Sequence, residues 1–172
     1  MGFNGAKSHL HHRPGQHQMS LNSDFCFAGS TIHKLDDKGR FALPSDFREE
    51  LGRSERPDLV MALAYDIKYL TFYPYEHWRK LMADIEEAMP DTASRNNALR
   101  ALSTQVRPLS LDKAGRVLIS PEQRAAAGLS REVKIIGVGF KIEIWDPSAH
   151  EQKERQDKDV LDEVIRTRGL KF

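Results

Sequence analysis

Residues 28–35 set Ile32 and Leu35 among small and polar residues, the chain breaks at Asp36-Asp37-Lys38-Gly39, and residues 40–44 alternate polar and apolar positions through Phe41 and Leu43. A period of two sends successive side chains to opposite faces, so this stretch reads as a strand, a tight loop and a returning strand. The pattern returns 76 residues later: Leu111-Asp112-Lys113-Ala114-Gly115-Arg116 leads into Val117 and Ile119. Gly39 and Gly115 fill the same slot, where a short hairpin loop needs a left-handed backbone that glycine adopts without steric cost. Asp36 and Asp112 open the two loops, where a carboxylate can accept backbone N–H bonds across the turn.

Helix signals follow each loop. Ser120-Pro121-Glu122-Gln123 combines a capping serine, a proline at the first helical position and a glutamine placed for a capping box. Ser45-Asp46-Phe47-Arg48 keeps the capping serine without the box, and the two short helices end near Gly52 and Gly128. Two more strands are predicted in each half: residues 59–65 pairing with 68–73 across Asp66-Ile67, and 133–138 pairing with 141–145 across Gly139-Phe140. Residues 60–74 and 133–147 align without a gap, matching Lys68 to Lys141, Phe72 to Trp145 and Pro74 to Pro147, and further on His77 matches His150. Residues 74–89 and 91–103 are helix-like, with Trp78, Leu81, Met82 and Ile85 at helical spacing as packing positions. A last helix over residues 150–168 is charged at first and carries an apolar stripe, Val160, Leu161, Val164 and Ile165, expected to dock in its final two turns. The expected organisation is an extension over 1–26, a first module over 30–77, a helical connection over 78–105, a second module over 106–149 and a C-terminal helix over 150–172.

Composition narrows the possibilities. With 172 residues and two copies of a small unit, one pseudo-symmetric body is favoured, because either unit alone would bury little apolar surface. The 26 basic and 25 acidic residues leave a formal charge of +1, so any binding to a polyanion has to be local. A single cysteine, Cys26, excludes an internal disulfide framework and reads as a small apolar filler between Phe25 and Phe27. Residues 1–26 are polar and hold His9, His11, His12 and His17, and disorder is expected there. No apolar run is long enough to span a bilayer, which suggests a soluble, cytoplasmic protein. No phosphate loop, nucleophile elbow or dinucleotide fingerprint occurs, so neither an enzyme nor a cofactor, metal or small-molecule substrate is expected. His77 and His150 read as packing groups beside helix starts.

The doubled charged turn is where function is expected. With Phe41 and Leu43 facing the core, Arg40 points outward beside Lys38; with Val117 and Ile119 inside, Arg116 points outward near Lys113. Guanidinium groups suit phosphates and the paired acceptors of guanine, and a two-stranded ribbon is narrow enough for the major groove. His33, Lys34 and Arg107 could add phosphate contacts. An Asp four residues before an Arg can equally form a salt bridge that stiffens the turn, and spacing alone leaves the two readings even.

The pair 35–44 and 111–119, Leu-Asp-Asp-Lys-Gly-Arg-Phe-Ala-Leu-Pro and Leu-Asp-Lys-Ala-Gly-Arg-Val-Leu-Ile, resembles the MraZ family of bacterial transcriptional regulators, and the likeness runs over residues 27–150. The resemblance implies an α+β fold of two tandem modules similar to the DNA-binding domains of AbrB and SpoVT, built as swapped-hairpin β units with flanking helices. It implies a sequence-specific, nucleoid-associated repressor of the division and cell-wall gene cluster. Such a protein would grip short repeats in double-stranded promoter DNA as a ring-shaped homo-oligomer. Carried over by position, the DNA-binding residues are Lys38 and Arg40, with Lys113 and Arg116 from the second motif. Asp36, Gly39, Asp112 and Gly115 support them. The chain departs from the family pattern in its amino-terminal extension and in Asp37, a negative charge at the expected contact. The alternative reading is a protein-interaction or antitoxin-like assembly module without its own DNA target.

Overall fold

The computed structural model describes residues 26–53, 58–64 and 68–169, so all but Cys26 of the extension expected to be disordered over residues 1–26, and the turn at Asp66-Ile67, lie outside the described residues. In chain order the elements of the first half are β1 (Ser30–Lys34), β2 (Arg40–Ala42), α1 (Ser45–Leu51), β3 (Leu59–Leu63), β4 (Leu70–Pro74) and α2 (Tyr75–Ala88). A third helix, α3 (Thr92–Gln105), leads to β5 (Val106–Leu109), β6 (Arg116–Leu118), α4 (Pro121–Ala126), β7 (Glu132–Val138), β8 (Lys141–Trp145) and α5 (Pro147–Arg168). The fold is α+β: an antiparallel sheet in the order β1-β7-β8-β4-β3-β5, and a two-stranded ribbon of β2 and β6.

Strand exchange is the organising fact. β3 and β4 form a hairpin within the first half, as β7 and β8 do within the second, and β4 joins β8 at the centre of the sheet. The outer strands cross over: β1 of the first half pairs with β7, and β5 of the second half pairs with β3. The ribbon is shared in the same way, with Phe41 opposite Val117 at its middle. The simple hairpin expected at residues 28–44 is therefore corrected. β1 and β2 flank the tight turn but lie in different sheets, each paired with a strand from the other copy. A three-residue strand has little to hold it alone, whereas pairing β2 with β6 sets two inward side chains over one common core.

That core lies between the ribbon and one face of the sheet. Phe41, Val117, Leu43 and Ile119 come down from the ribbon, Phe47 and Leu51 from α1 and Ala127 from the end of α4. They meet Leu59, Met61, Leu70, Phe72, Val133, Ile135, Ile142 and Ile144 from the sheet. Phe41 stacks over Phe72 with ring centroids 6.4 Å apart.

The opposite face carries Tyr69, Tyr73 and Trp145 and is overlaid by the starts of α2 and α5. Tyr69 stacks on Trp145 at 4.1 Å, His77 on Phe140 at 4.1 Å, and His150 meets Trp145 edge-on at 5.5 Å. Both histidines pack, and their burial lowers both side-chain pKa values from the ordinary range. The ungapped match of Phe72 to Trp145 is out of phase: Phe72 and Ile144 line the core, while Trp145 faces away from it. Pairing within the two hairpins is the same under this match, Met61 opposite Phe72 and Lys134 opposite Trp145, so the second hairpin as a whole turns its other face to the core.

Three local expectations change. Helix α1 is capped by Pro44 with no side-chain hydrogen bond, because the helix begins at Ser45 itself and its hydroxyl is past the capping position. Cys26 is exposed, its N–H donating to Glu50 Oε1 at 2.9 Å, and it is Phe27 that enters the core against Phe47. Helix α5 starts at Pro147, and Val160, Leu161 and Val164 of its apolar stripe are 64%, 50% and 40% exposed, so the stripe docks on nothing in this chain's described body.

Candidate nucleic-acid interface

The ribbon register decides which side chains face out. Arg40 stands opposite Leu118 and Ala42 opposite Arg116, flanking the inward pair Phe41 and Val117. Arg40, Ala42, Arg116 and Leu118 thus share the outer surface, with the two arginines on a diagonal. Leu118 is 52% exposed, an apolar element of that surface.

Each arginine is held by the aspartate that opens its turn. Asp36 Oδ1 accepts the backbone N–H groups of Lys38 and Arg40, both at 2.9 Å. Asp36 Oδ2 takes Arg40 Nε and Nη2, each at 2.7 Å. The second copy repeats the arrangement: Asp112 Oδ1 accepts from Ala114 and Arg116 at 2.9 Å, and Oδ2 takes Nε and Nη2 of Arg116 at 2.8 Å. Both turns close with matching backbone bonds, Gly39 N–H to Asp36 O and Gly115 N–H to Asp112 O, at 2.8 Å.

Of the two readings that spacing left open, the geometry shows the salt bridge. The bridge fixes a guanidinium whose Nη1 takes no part in the pair. The Arg40 and Arg116 side chains keep 31% and 38% of their surface exposed, so neither is locked inside the body. The Arg40 side chain, with the two backbone donors, holds the Asp36 carboxyl down to about 2, and the Arg116 hydrogen bonds lower Asp112 likewise. Asp112, and at longer reach Asp36, raise Arg116 above its ordinary value, which places the two turns within each other's field.

Glycine is required at both corners. Gly39 has φ +82 and Gly115 φ +70. A Cβ on Gly39 would stand 2.6 Å from the carbonyl oxygen of Ile119, and one on Gly115 would stand 2.6 Å from Cδ of Arg48. The turns interlock across the halves: Leu43 N–H donates to Gly115 O and Ile119 N–H to Gly39 O, each at 3.0 Å.

Lys38 and Lys113 are exposed at the tips of the turns. Asp37, the acidic departure, lies 3.7 Å from Arg131, both side chains being almost fully solvated. The outlying cations differ in use: Lys34 sits 3.7 Å from Glu132, His33 packs edge-on against Phe41, and Arg107 Nη1 donates to its neighbour's carbonyl, Val106 O, at 2.7 Å. Two arginines passed over by the sequence reading, Arg48 and Arg124, also reach this surface. Their signal was available, since each follows its motif arginine at the same interval in both copies. Among the described residues no cluster of His, Cys, Asp or Glu could hold a metal ion, and no helix is long and apolar enough to cross a membrane.

Comparison with known proteins follows the repeat. The model of the family described as "MraZ protein, putative antitoxin-like" matches residues 26–101 and again 106–170. A protein of Pseudoalteromonas translucida named Transcriptional regulator MraZ is 31% identical over 134 residues, covering 78% of this chain and 88% of the relative. Its namesake in Escherichia fergusonii is 32% identical with the same coverage, and that of Thermomicrobium roseum is 35% identical over 70% of this chain and 82% of the relative. With the Asp-x-x-x-Arg turn present twice on a strand-exchanged ribbon and this likeness running through both halves, the chain belongs to the MraZ family.

Proposed function

We propose that this protein is a sequence-specific DNA-binding transcriptional regulator, a repressor that occupies promoter DNA of the division and cell-wall gene cluster through the β2/β6 ribbon. The observation that carries the reading is the pair of outward guanidiniums, Arg40 and Arg116, each pinned by its own aspartate on the ribbon face that they share with Ala42 and Leu118. Pinning matters because a pre-oriented fork loses less freedom on reaching a base edge or phosphate. Lys38 and Lys113 add charge at the turn tips. The names of the relatives support a regulatory role.

A chain with a net charge of +1 has little general attraction for a duplex, because nonspecific affinity comes from neutralising phosphates. A ring of copies presenting the same ribbon along one side would offset this: linked contacts raise affinity by about a hundredfold to ten-thousandfold through effective concentration. The operator would then hold short repeats spaced by about one helical turn, roughly 10 base pairs. A gel shift with DNA from immediately upstream of the coding region tests both points. Arg40→Ala is expected to keep the fold and oligomeric state and to lose specific binding. Duplexes with one repeat are expected to bind far more weakly than those with several. Unchanged binding by Arg40→Ala rejects the contact, and equal affinities reject the avidity.

A second reading has one observation in its favour. The exposed stripe Val160, Leu161 and Val164 on α5 suits a protein partner, as expected of an antitoxin-like assembly module. That reading entails no salt-sensitive affinity for any duplex, which the same gel shift at two salt concentrations separates.

A further inference from the structure

A second guanidinium lies against each glycine bend. Nε and Cζ of Arg124 stand 3.2 and 3.3 Å from the point where Gly39 would carry a Cβ. Arg48 meets Gly115 in the same way, with Nη1 2.9 Å and Nε 3.0 Å from the corresponding point. Each arginine comes from the half opposite to the bend it touches, so the pair obeys the same pseudo-symmetry as the turns. Arg40 and Arg116 therefore each have a companion cation from the other copy.

The four arginines differ in charge balance. Arg40 and Arg116 are matched one to one by Asp36 and Asp112, so they contribute orientation with little net charge. Among the described residues neither Arg48 nor Arg124 has a carboxylate partner. Arg48 gives its Nε to the carbonyl of Leu43 at 3.1 Å and is otherwise exposed. Arg124 Nε is buried with no hydrogen-bond partner at all. A buried cationic donor left without an acceptor is costly, so an arrangement that leaves one is better explained if an acceptor arrives from outside. An anionic oxygen beside the bend would supply it.

We propose that Arg48 and Arg124 bind backbone phosphates of the duplex, one beside each bend, while Arg40 and Arg116 face the groove between them. The inference rests on the ribbon being the duplex-binding face. It divides the work by chemistry: free cations for the phosphates, aspartate-pinned cations for recognition. Phosphate contacts set position and affinity without reading sequence, so their loss weakens all duplexes alike.

Arg48→Met and Arg124→Met, alone and together, keep an unbranched side chain at each position and remove the charge. Binding is followed by fluorescence anisotropy at several salt concentrations, on the duplex upstream of the coding region and on a scrambled duplex of the same composition. Each change is expected to reduce the slope of log affinity against log salt by about 1, and both together by about 2, with the preference between duplexes kept. A double variant whose slope equals that of the unaltered protein overturns the inference, as does one that loses preference and keeps its slope. If the unaltered protein shows no salt-dependent binding to either duplex, the proposed function falls and this inference with it. Should the double variant fail to fold, the unaltered protein decides. Phenylglyoxal labelling of Arg48, mapped by mass spectrometry, is expected to drop when duplex is added, and equal labelling with and without duplex overturns the proposal.

Discussion

At the scale of single residues, the two aspartates do more than balance charge. Asp36 closes its turn with one oxygen and holds Arg40 with the other, so a single carboxylate sets both the bend and the direction of the guanidinium. Its pKa fixes the sign of a pH effect. Because the folded value, about 2, lies below the ordinary 3.8, the stabilisation is complete above 3.8 and is lost as pH falls toward 2. Asp36→Asn is therefore expected to lower the thermal midpoint at neutral pH, and the gap between variant and parent should close on acidification through that window. A gap that stays constant down to the folded value would show that the carboxylate's charge adds nothing to the turn. This much of the site was legible in the sequence, since Asp-x-x-x-Arg with glycine before the arginine describes a closed corner by local geometry alone. Arg48 and Arg124 left a trace in their equal spacing after the motif arginines, but the bend that each reaches was not legible, because it lies in the opposite half of the chain.

At the scale of elements, the helix starts of the two copies have diverged. Ser120 and Gln123 form a full capping box, the serine hydroxyl accepting from Gln123 N–H at 3.3 Å and the glutamine from Ser120 N–H at 2.9 Å. Ser45 has no such bond. Ser120→Ala is thus expected to cost about 1 kcal/mol and Ser45→Ala close to nothing, measured by urea denaturation of each variant. Equal losses would mean that the two helices are capped alike in solution. The sequence pattern located these starts because capping depends on four adjacent residues. It matched Phe72 to Trp145 because the two hairpins pair alike, whereas the face that each turns to the core depends on the strands it meets, and one residue of slip exchanges the faces of a sheet.

At the scale of the whole molecule, neither copy owns a complete sheet or core. β1 needs β7, β5 needs β3, and the ribbon has one strand from each half. The two halves, cut between α3 and β5 and produced separately, are expected to show no cooperative unfolding transition, and to regain it when mixed. Circular dichroism during a thermal ramp checks this, and a sharp transition in either half alone would contradict the shared core. The same sharing explains the placement of the candidate interface. Only when both copies are present do Arg40 and Arg116 come to lie diagonally on one surface, each with a companion from across the pseudo-symmetry axis.

The sequence by itself determined the turns, the repeat, the capped helix of the second copy and the outward side of Arg40 and Arg116, because each follows from bonding within a few residues or from simple alternation. Tertiary structure decided which strand pairs with which, the face on which Trp145 lies, the exposure of the α5 stripe and the arrival of Arg48 and Arg124 at the glycine bends. Those outcomes depend on contacts between residues far apart in the chain, which can change a strand's partner or its buried face while leaving every local preference satisfied.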